Sequence, residues 1–427
     1  LITRIARVVQ SDSLRATGWL GVGGAAFAAA NLLLAGWLPA DAFGRLVLVQ
    51  ALAVIATGIA PLGMDQLAVR REFPVRWESL RTAAATAAVV AILFGSIAAG
   101  WYRLPTPAVV AVVGIGVAGG VAVVCASVER SLVRLNRAML ITQIPNAVFA
   151  AGALLMRAAE VGTWQVAAGV LAGGYAVAAA AGLLVFRRTL AERVLGSRPW
   201  DEGERRDAWR KGFAFVGISG SVYLLFQMER LLLPHLLSLS ELATFSVAAT
   251  LAGSPYKILQ GGIGYALVPK LRAAEGRRER SRMIRDELVL AAALALGGGA
   301  ILIIAATPLV RLLYAAKYPV THALVAAIVV SGVLSLLYAA LSSAVYALAD
   351  RPQLAWFNRL GWVATAGAAA GAVALSGFGI VGVVLGTSLG WLLRLMGALL
   401  LLRPVLGVPE GSRAPGRVAP AASAAER

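Results

Sequence analysis

The chain has 427 residues, of which 59% are hydrophobic and 14% charged, and its mean hydropathy is +0.79. Globular chains are about half apolar and about a quarter charged, so this balance excludes a soluble multidomain protein, a disordered chain and a disulfide scaffold. At ~20 apolar residues per crossing, it supplies at most roughly a dozen membrane spans. The net charge of +18 would suggest nucleic acid in a soluble chain, but basic residues collect in the cytoplasmic loops of membrane proteins, so no nucleic-acid partner is expected. The lone Cys125 lies in an apolar run and carries no redox information.

Apolar runs recur at 18–38, 46–66, 82–101, 107–128, 138–157 and 165–186. Six more follow at 212–236, 242–267, 287–307, 323–345, 361–376 and 380–402. Each suffices for a helix across about 30 Å of hydrocarbon, so the expected fold class is an all-α polytopic membrane protein with about 12 transmembrane helices. The first run follows a basic stretch, as in a signal peptide, but it is longer than an h-region and reads as a retained helix.

Orientation follows from the Lys/Arg bias. Segments on one side hold 31 basic residues, those on the other hold five (Arg45, Arg103, Arg157, Arg311 and Lys317), and Arg230, Lys257 and Arg394 lie within spans. That asymmetry predicts a multi-pass protein of the cell (inner) membrane with both termini in the cytoplasm. The polar segment 187–211 divides the spans six and six and reads as a solvated cytoplasmic linker between lobes at 1–186 and 212–403. Residues 404–427, rich in Pro, Ala and Arg, read as a disordered cytoplasmic tail. The halves echo each other: Leu32, Leu33, Leu34, Leu38, Leu52 and Ala53 match Leu231, Leu232, Leu233, Leu237, Leu251 and Ala252 at an offset of 199, the pattern of a parallel repeat.

Signatures of chemistry are sparse. No lysine follows glycine, so there is no Walker A motif, and no cofactor is expected. His235 and His322 stand far apart near the outer ends of spans, more like interfacial histidines than metal ligands. No Asp-x-Asp pair occurs, and the longest outer connection, about 308–322, leaves no room for an external catalytic domain. A transporter is favoured over an enzyme.

Charge inside the apolar runs is the informative signal. Asp65, Glu229, Arg230, Lys257 and Arg394 each cost about 2.5–3.5 kcal/mol at a helix centre, and such residues face a bundle interior or a watery cavity. Glu229 lies about 12 Å below the outer end of its helix and Lys257 about 22 Å below that of the next, so a direct pair needs extended side chains. Glu229 and Arg230 read as cavity-lining or as members of a structural ion pair. Asp65 reads as interfacial or as a coupling carboxylate alongside Glu229, and Arg394 as lining the cavity or snorkelling. Pro61, Pro145 and Pro255 sit within spans, where freed carbonyls line cavities or allow hinges.

The run LLLAGWLPADAFGRLVLVQALAVIATGIAPLGMDQLAVRR (32–71), with an acidic residue and Phe-Gly at the outer turn and Leu-Gly-hydrophobic-Asp at the end, resembles the first two helices of bacterial polysaccharide flippases. The run QMERLLLPHLLSLSELATFSVAATLAGSPYKILQGGIGYALVPKLR (227–272) resembles helices seven and eight, and RLLYAAKYPVTHAL (311–324) and GFGIVGVVLGTSLGWLLRLM (377–396) resemble the segment before helix ten and the last helix. The family belongs to the multidrug, oligosaccharidyl-lipid and polysaccharide exporter superfamily. Arg45 in the Phe-Gly turn, and Glu229 where many members carry Asp, depart from its pattern.

The resemblance implies two six-helix lobes around a central cavity. It also implies flipping of undecaprenyl-pyrophosphate-linked oligosaccharide units across the membrane for surface polysaccharide biosynthesis, beside a polymerase and glycosyltransferases. Arg230 and Lys257 would hold the diphosphate, Asn31, Gln50, Tyr223, Gln227 and Gln260 would contact sugar hydroxyls, and Glu229 and Arg394 are further cavity candidates for substrate binding. Lipid II flippases of the superfamily usually have fourteen helices. A cation-coupled drug or metabolite antiporter of the same superfamily is the alternative, although such members commonly carry an acidic residue in the first helix and 18–38 has none.

Overall fold

The computed structural model describes residues 12–70, 72–192, 201–274, 276–315 and 317–406. All regular structure among them is helical. The first half forms α1 (Asp12–Trp37), α2 (Ala40–Ile59), the short α3 (Met64–Val69), α4 (Trp77–Tyr102), α5 (Thr106–Ser131), α6 (Leu135–Ala158) and α7 (Trp164–Ala191). The second forms α8 (Glu202–Leu236), α9 (Leu239–Ala252), α10 (Ser254–Ala273), α11 (Arg277–Tyr314), α12 (His322–Leu348), α13 (Arg351–Leu375) and α14 (Gly379–Leu406). Nine helical stretches among the described residues are long and apolar enough to cross a membrane, one of them joining α13 to α14.

The expected runs fall on these helices with two corrections. The run 46–66 is not one helix: α2 stops at Ile59, and Pro61, Leu62 (φ 46°) and Gly63 (φ 75°) turn the chain before α3. Gly63 is required there twice over, because its φ is left-handed and a β-carbon would run into the Gly212 carbonyl of α8. The run 242–267 breaks at Gly253, and Pro255 takes an early position of α10, where its missing N–H costs nothing. Pro145, by contrast, stays inside a continuous α6.

The segment 187–211 is helical at both ends. Residues 187–191 finish α7, and α8 starts behind a capping box in which Asp201 and Glu204 each accept the other's backbone N–H. Its middle, 193–200, lies outside the described residues, as do Arg4, Arg7 and residues 407–427 of the tail; 404–406 continue α14. At 35 and 38 residues, α8 and α11 run about 52 and 57 Å, so their charged first turns stand clear of the hydrocarbon on the basic side.

Apolar side chains point outward around the molecule, with Ile304 72% and Leu312 82% exposed, as lipid-facing residues are. Inside, α1 packs on α6, α2 and α4 on α5, and α5 and α6 on α7. In the second half α8 packs on α13, α9, α10 and α11 on α12, and α12 and α13 on α14. Taking α9 with α10 as one broken span, this is the same pairing moved along by six spans, which is what two six-helix lobes require. The lobes meet where α2 faces α8 and α9, and where α1 faces α9 and α10.

With the sparsely basic ends of the spans named outer and the strongly basic ends inner, after the expected orientation, the core tells which ends are joined. One apolar cluster crosses the seam in the outer halves, uniting Leu34, Phe43 and Leu46 with Leu233, Leu242 and Leu324. In the inner halves, Leu225, Leu267, Leu341 and Trp391 form a cluster belonging to the second lobe alone. The inner cluster of Met64, Val124 and Phe186 draws one buried member, Ala208, from the first turns of α8. The lobes are thus fused at the sparsely basic, outer face and largely separate towards the basic one.

Polar ties repeat that asymmetry. Lys317 Nζ donates to the carbonyls of Ala35 (2.6 Å), Gly36 (3.2 Å) and Leu38 (2.6 Å) at the end of α1. Tyr318 donates to Ala35 and Tyr314 to Leu32, both at 2.7 Å, and Tyr102 donates to Leu231 at 3.0 Å. At the inner face the lobes share the exposed ion pair Lys211–Glu72 (3.0 Å) and the Arg70 guanidinium 4.6 Å over the Phe215 ring.

Candidate functional site: a charged pocket in the second lobe

Glu229 and Arg230 come from the middle of α8, and Lys257 from the first turn of α10, which the break at Gly253 delivers to mid-membrane depth. They line one cavity of about 60 Å³ with Phe245, Tyr256, Ser335 and Trp391. That volume holds water or an ion rather than a sugar. Glu229 is buried, Arg230 half-buried, and Lys257 exposed although it sits deep in the bundle. The helix that carries it, α10, also packs on α1 across the seam between the lobes.

Partners distinguish these groups. Neither cation lies within ion-pair distance of Glu229. Arg230 Nη1 donates to Gln227 Oε1 at 2.8 Å, while its buried Nε has no partner. Glu229 Oε1 lies 2.8 Å from Thr387 Oγ, which is also 2.9 Å from the Val384 carbonyl. One hydroxyl proton serves both arrangements: toward an ionised Glu229, or toward Val384 while a protonated Glu229 donates to Oγ. The pocket therefore accommodates the carboxyl group in either state, with two cations for its single carboxylate.

The remaining expected residues divide. Gln227 and Gln260 belong with the pocket, Gln260 through a 2.6 Å bond to Ser335. Arg394 does not snorkel. It is 3% exposed and enclosed among Tyr338, Gly361 and Thr365, its donors reaching the Tyr338 hydroxyl at 3.2 Å and the Gly361 carbonyl at 3.0 Å. It lines a separate small cavity with Ser221 and Asn358. Asn31 and Gln50 are buried and bonded to each other at 2.9 Å, so neither faces open space in this conformation. Tyr223 covers Gly58 at the seam, and Asp65 lies at the inner end on α3, accepting from Gln66 at 2.8 Å.

Several residues escaped sequence reasoning. Thr387 is an ordinary threonine in an apolar helix, and only its distance to Glu229 marks it. Glu129 ends α5 at 1% exposure, bonded to Thr189 and within 4.0 Å of Arg134 and 3.8 Å of Arg137, pinning the inner ends of α5, α6 and α7. The two histidines, by contrast, stand out in the sequence: His235 stacks on Tyr102, and His322 Nδ1 lies 3.1 Å from the Ile303 carbonyl.

No protein-family model matches the chain, and no curated protein matches it in sequence. Solved structures do match in fold. An inward-facing multidrug-resistance MATE transporter of the MOP superfamily aligns over 90% of this chain and 95% of its own, with a TM-score of 0.64 at 16% identity. A eukaryotic MATE transporter covers 93% and 99% at 0.58 and 15%. The lipid II flippase MurJ, in an inward-closed conformation, covers 91% and 87% at 0.55 and 12%. The chain thus has the fold shared by these transporters and this flippase, none of them an enzyme, and it is a multi-pass membrane protein of that architecture.

Proposed function

We propose that the chain flips an anionic lipid-linked oligosaccharide, of the undecaprenyl-pyrophosphate type, from the inner to the outer leaflet by alternating access. The observation that carries the reading is the charge imbalance at mid-depth: Arg230 and Lys257 against Glu229, with Lys257 exposed. A glycan diphosphate cannot enter hydrocarbon without a large desolvation cost, so a flippase must supply cations along its path while the lipid tail stays in the bilayer. Arg grips phosphate through two parallel bonds, and Lys serves as a point charge. Arg394, Asn31, Gln50 and Tyr223 join the path only if movement of the lobes exposes them.

With this reading go both termini in the cytoplasm of the inner membrane, a cytoplasmic linker at 187–211 joining lobes 1–186 and 212–403, and a polymerase and glycosyltransferases as partners. Glu229 is the coupling group, since Thr387 serves it in both protonation states; Asp65, at the inner end of the seam, is the second candidate. The alternative, a cation-coupled drug or metabolite antiporter, is favoured by one observation: the Glu229 pocket is ion-sized. Deletion followed by analysis of lipid-linked intermediates separates the two. Accumulated glycan intermediates with loss of surface polysaccharide support the flippase, whereas intact polysaccharide with raised drug sensitivity refutes it.

A further inference from the structure

A second cavity, of about 460 Å³, opens at the outer face where the lobes meet, within the range of about 300–1,000 Å³ typical of small-ligand sites. The first lobe contributes Arg45, Trp101, Arg103 and Trp164; the second contributes Pro234 and His235. Arg45 and Arg103 are both exposed, and no carboxylate among the described residues lies within ion-pair distance of either.

Ordinary helix electrostatics account for one of these cations. Arg103 is the left-handed cap of α4 (φ 49°), where a positive charge meets the negative end of the helix. Arg45 lies in the second turn of α2, where the helix dipole disfavours a cation, and Asp41 one turn back does not pair with it. Two guanidinium groups that line one cavity without a carboxylate partner give it a positive potential that draws anions. The wall is aromatic: Trp101, 69% exposed, offers an open ring and meets His235 at 5.7 Å between centroids, backed by Tyr102, 4.7 Å from His235, and by the buried Trp164. Such faces pack against the C–H faces of a sugar ring, while guanidinium groups take a phosphoryl group bidentately.

We infer that this outer cavity binds a phosphorylated saccharide. The inference goes beyond the flippase reading and rests on the cavity alone. The ligand arrives either from solution as a sugar phosphate or from the outer leaflet as a lipid-linked one. Because both lobes form the walls, a bound ligand favours the conformation in which they stand at this separation.

The test uses the full chain in phosphatidylcholine nanodiscs, with tryptophan fluorescence as readout. Glucose 1-phosphate is expected to bind more tightly than glucose or inorganic phosphate. Arg45→Gln/Arg103→Gln should weaken it tenfold or more, and Arg311→Gln, at an exposed cation that does not line the cavity, should leave it unchanged. Nanodiscs doped with polyprenyl phosphoglucose identify the source: a bound state that excludes glucose 1-phosphate assigns the leaflet, and unimpeded binding assigns the soluble form. Equal affinity for glucose, unchanged binding in the double variant, or an equal loss in Arg311→Gln overturns the inference. So does full competition by phosphatidylglycerol, which would make this a general headgroup site. Failure of transport with outer binding intact would instead count against the flippase reading alone.

Discussion

Replacing Lys317 by Met should open the outer face. Its ammonium donates to three carbonyls at the C-terminal end of α1, and it is the only cation making such a tie across the lobes among the described residues. A hydrogen bond to a charged group contributes about 1.5–3 kcal/mol net, and a cation at a helix C-terminus adds about 0.3–1 kcal/mol. Lys317 is only half-buried, so one full bond's worth, about 1.5–3 kcal/mol, is the reasonable total. That moves the ratio of outer-closed to outer-open molecules by roughly ten- to 150-fold. Spin labels at Glu160→Cys and Ala323→Cys, both exposed outer positions on opposite lobes, report the separation by pulsed dipolar spectroscopy; Cys125 is buried and is replaced as a precaution. The expected result is a new population at longer distance in Lys317→Met, smaller in Tyr318→Phe, which loses one neutral bond. Unchanged distance distributions in both variants would refute the assignment of this contact as the outer tie.

Thr387→Val should lower transport roughly tenfold or more with normal protein abundance, and Thr387→Ser should restore it, as measured by flux into proteoliposomes, because only the hydroxyl serves Glu229. Gly44→Ala should block outer closure in the same spectroscopic assay, since a β-carbon there meets the Leu239 carbonyl across the seam. Arg394→Ala should reduce abundance by stranding the acceptors around it, while Arg394→Met should recover abundance if its role is packing; transport by the Met variant then decides whether the charge matters. At the inner face, Asp207 and Glu72 hold the Lys211 ammonium above the ordinary lysine range. A raised pKa means that the tie is complete below the ordinary value and lost as pH rises through the raised one, so inner-face separation should increase only in strong alkali or, by screening, at high salt.

The fold was largely legible because its determinant is coarse. A span needs only length and apolarity, and ten of the twelve expected runs each fall on one continuous helix. The two misjudged spans failed for a local reason: hydropathy does not register a turn such as Pro61–Gly63 or a break such as Gly253, since alanine, leucine and glycine on either side keep the run apolar. The offset between Leu32 and Leu231 is compatible with the repeated helix pairing, since each residue lies in the first helix of its half.

The sites divide on different physical grounds. A charge in an apolar run is conspicuous because the membrane penalises it, and that is why Glu229, Arg230 and Lys257 stood out. What each charge faces is set by helix rotation and by neighbours hundreds of residues away. Arg394 and Lys257 look alike in sequence, yet one is sealed among backbone and hydroxyl acceptors and the other is open. The outer cavity was invisible for the opposite reason. Arg45 and Arg103 sit at helix ends where charge costs little, so nothing marks them until α2, α4 and α8 bring them to one wall with His235. In a bundle of this kind, costly residues show where to look inside the bilayer, but inexpensive residues that converge at its surface are found only from the packing.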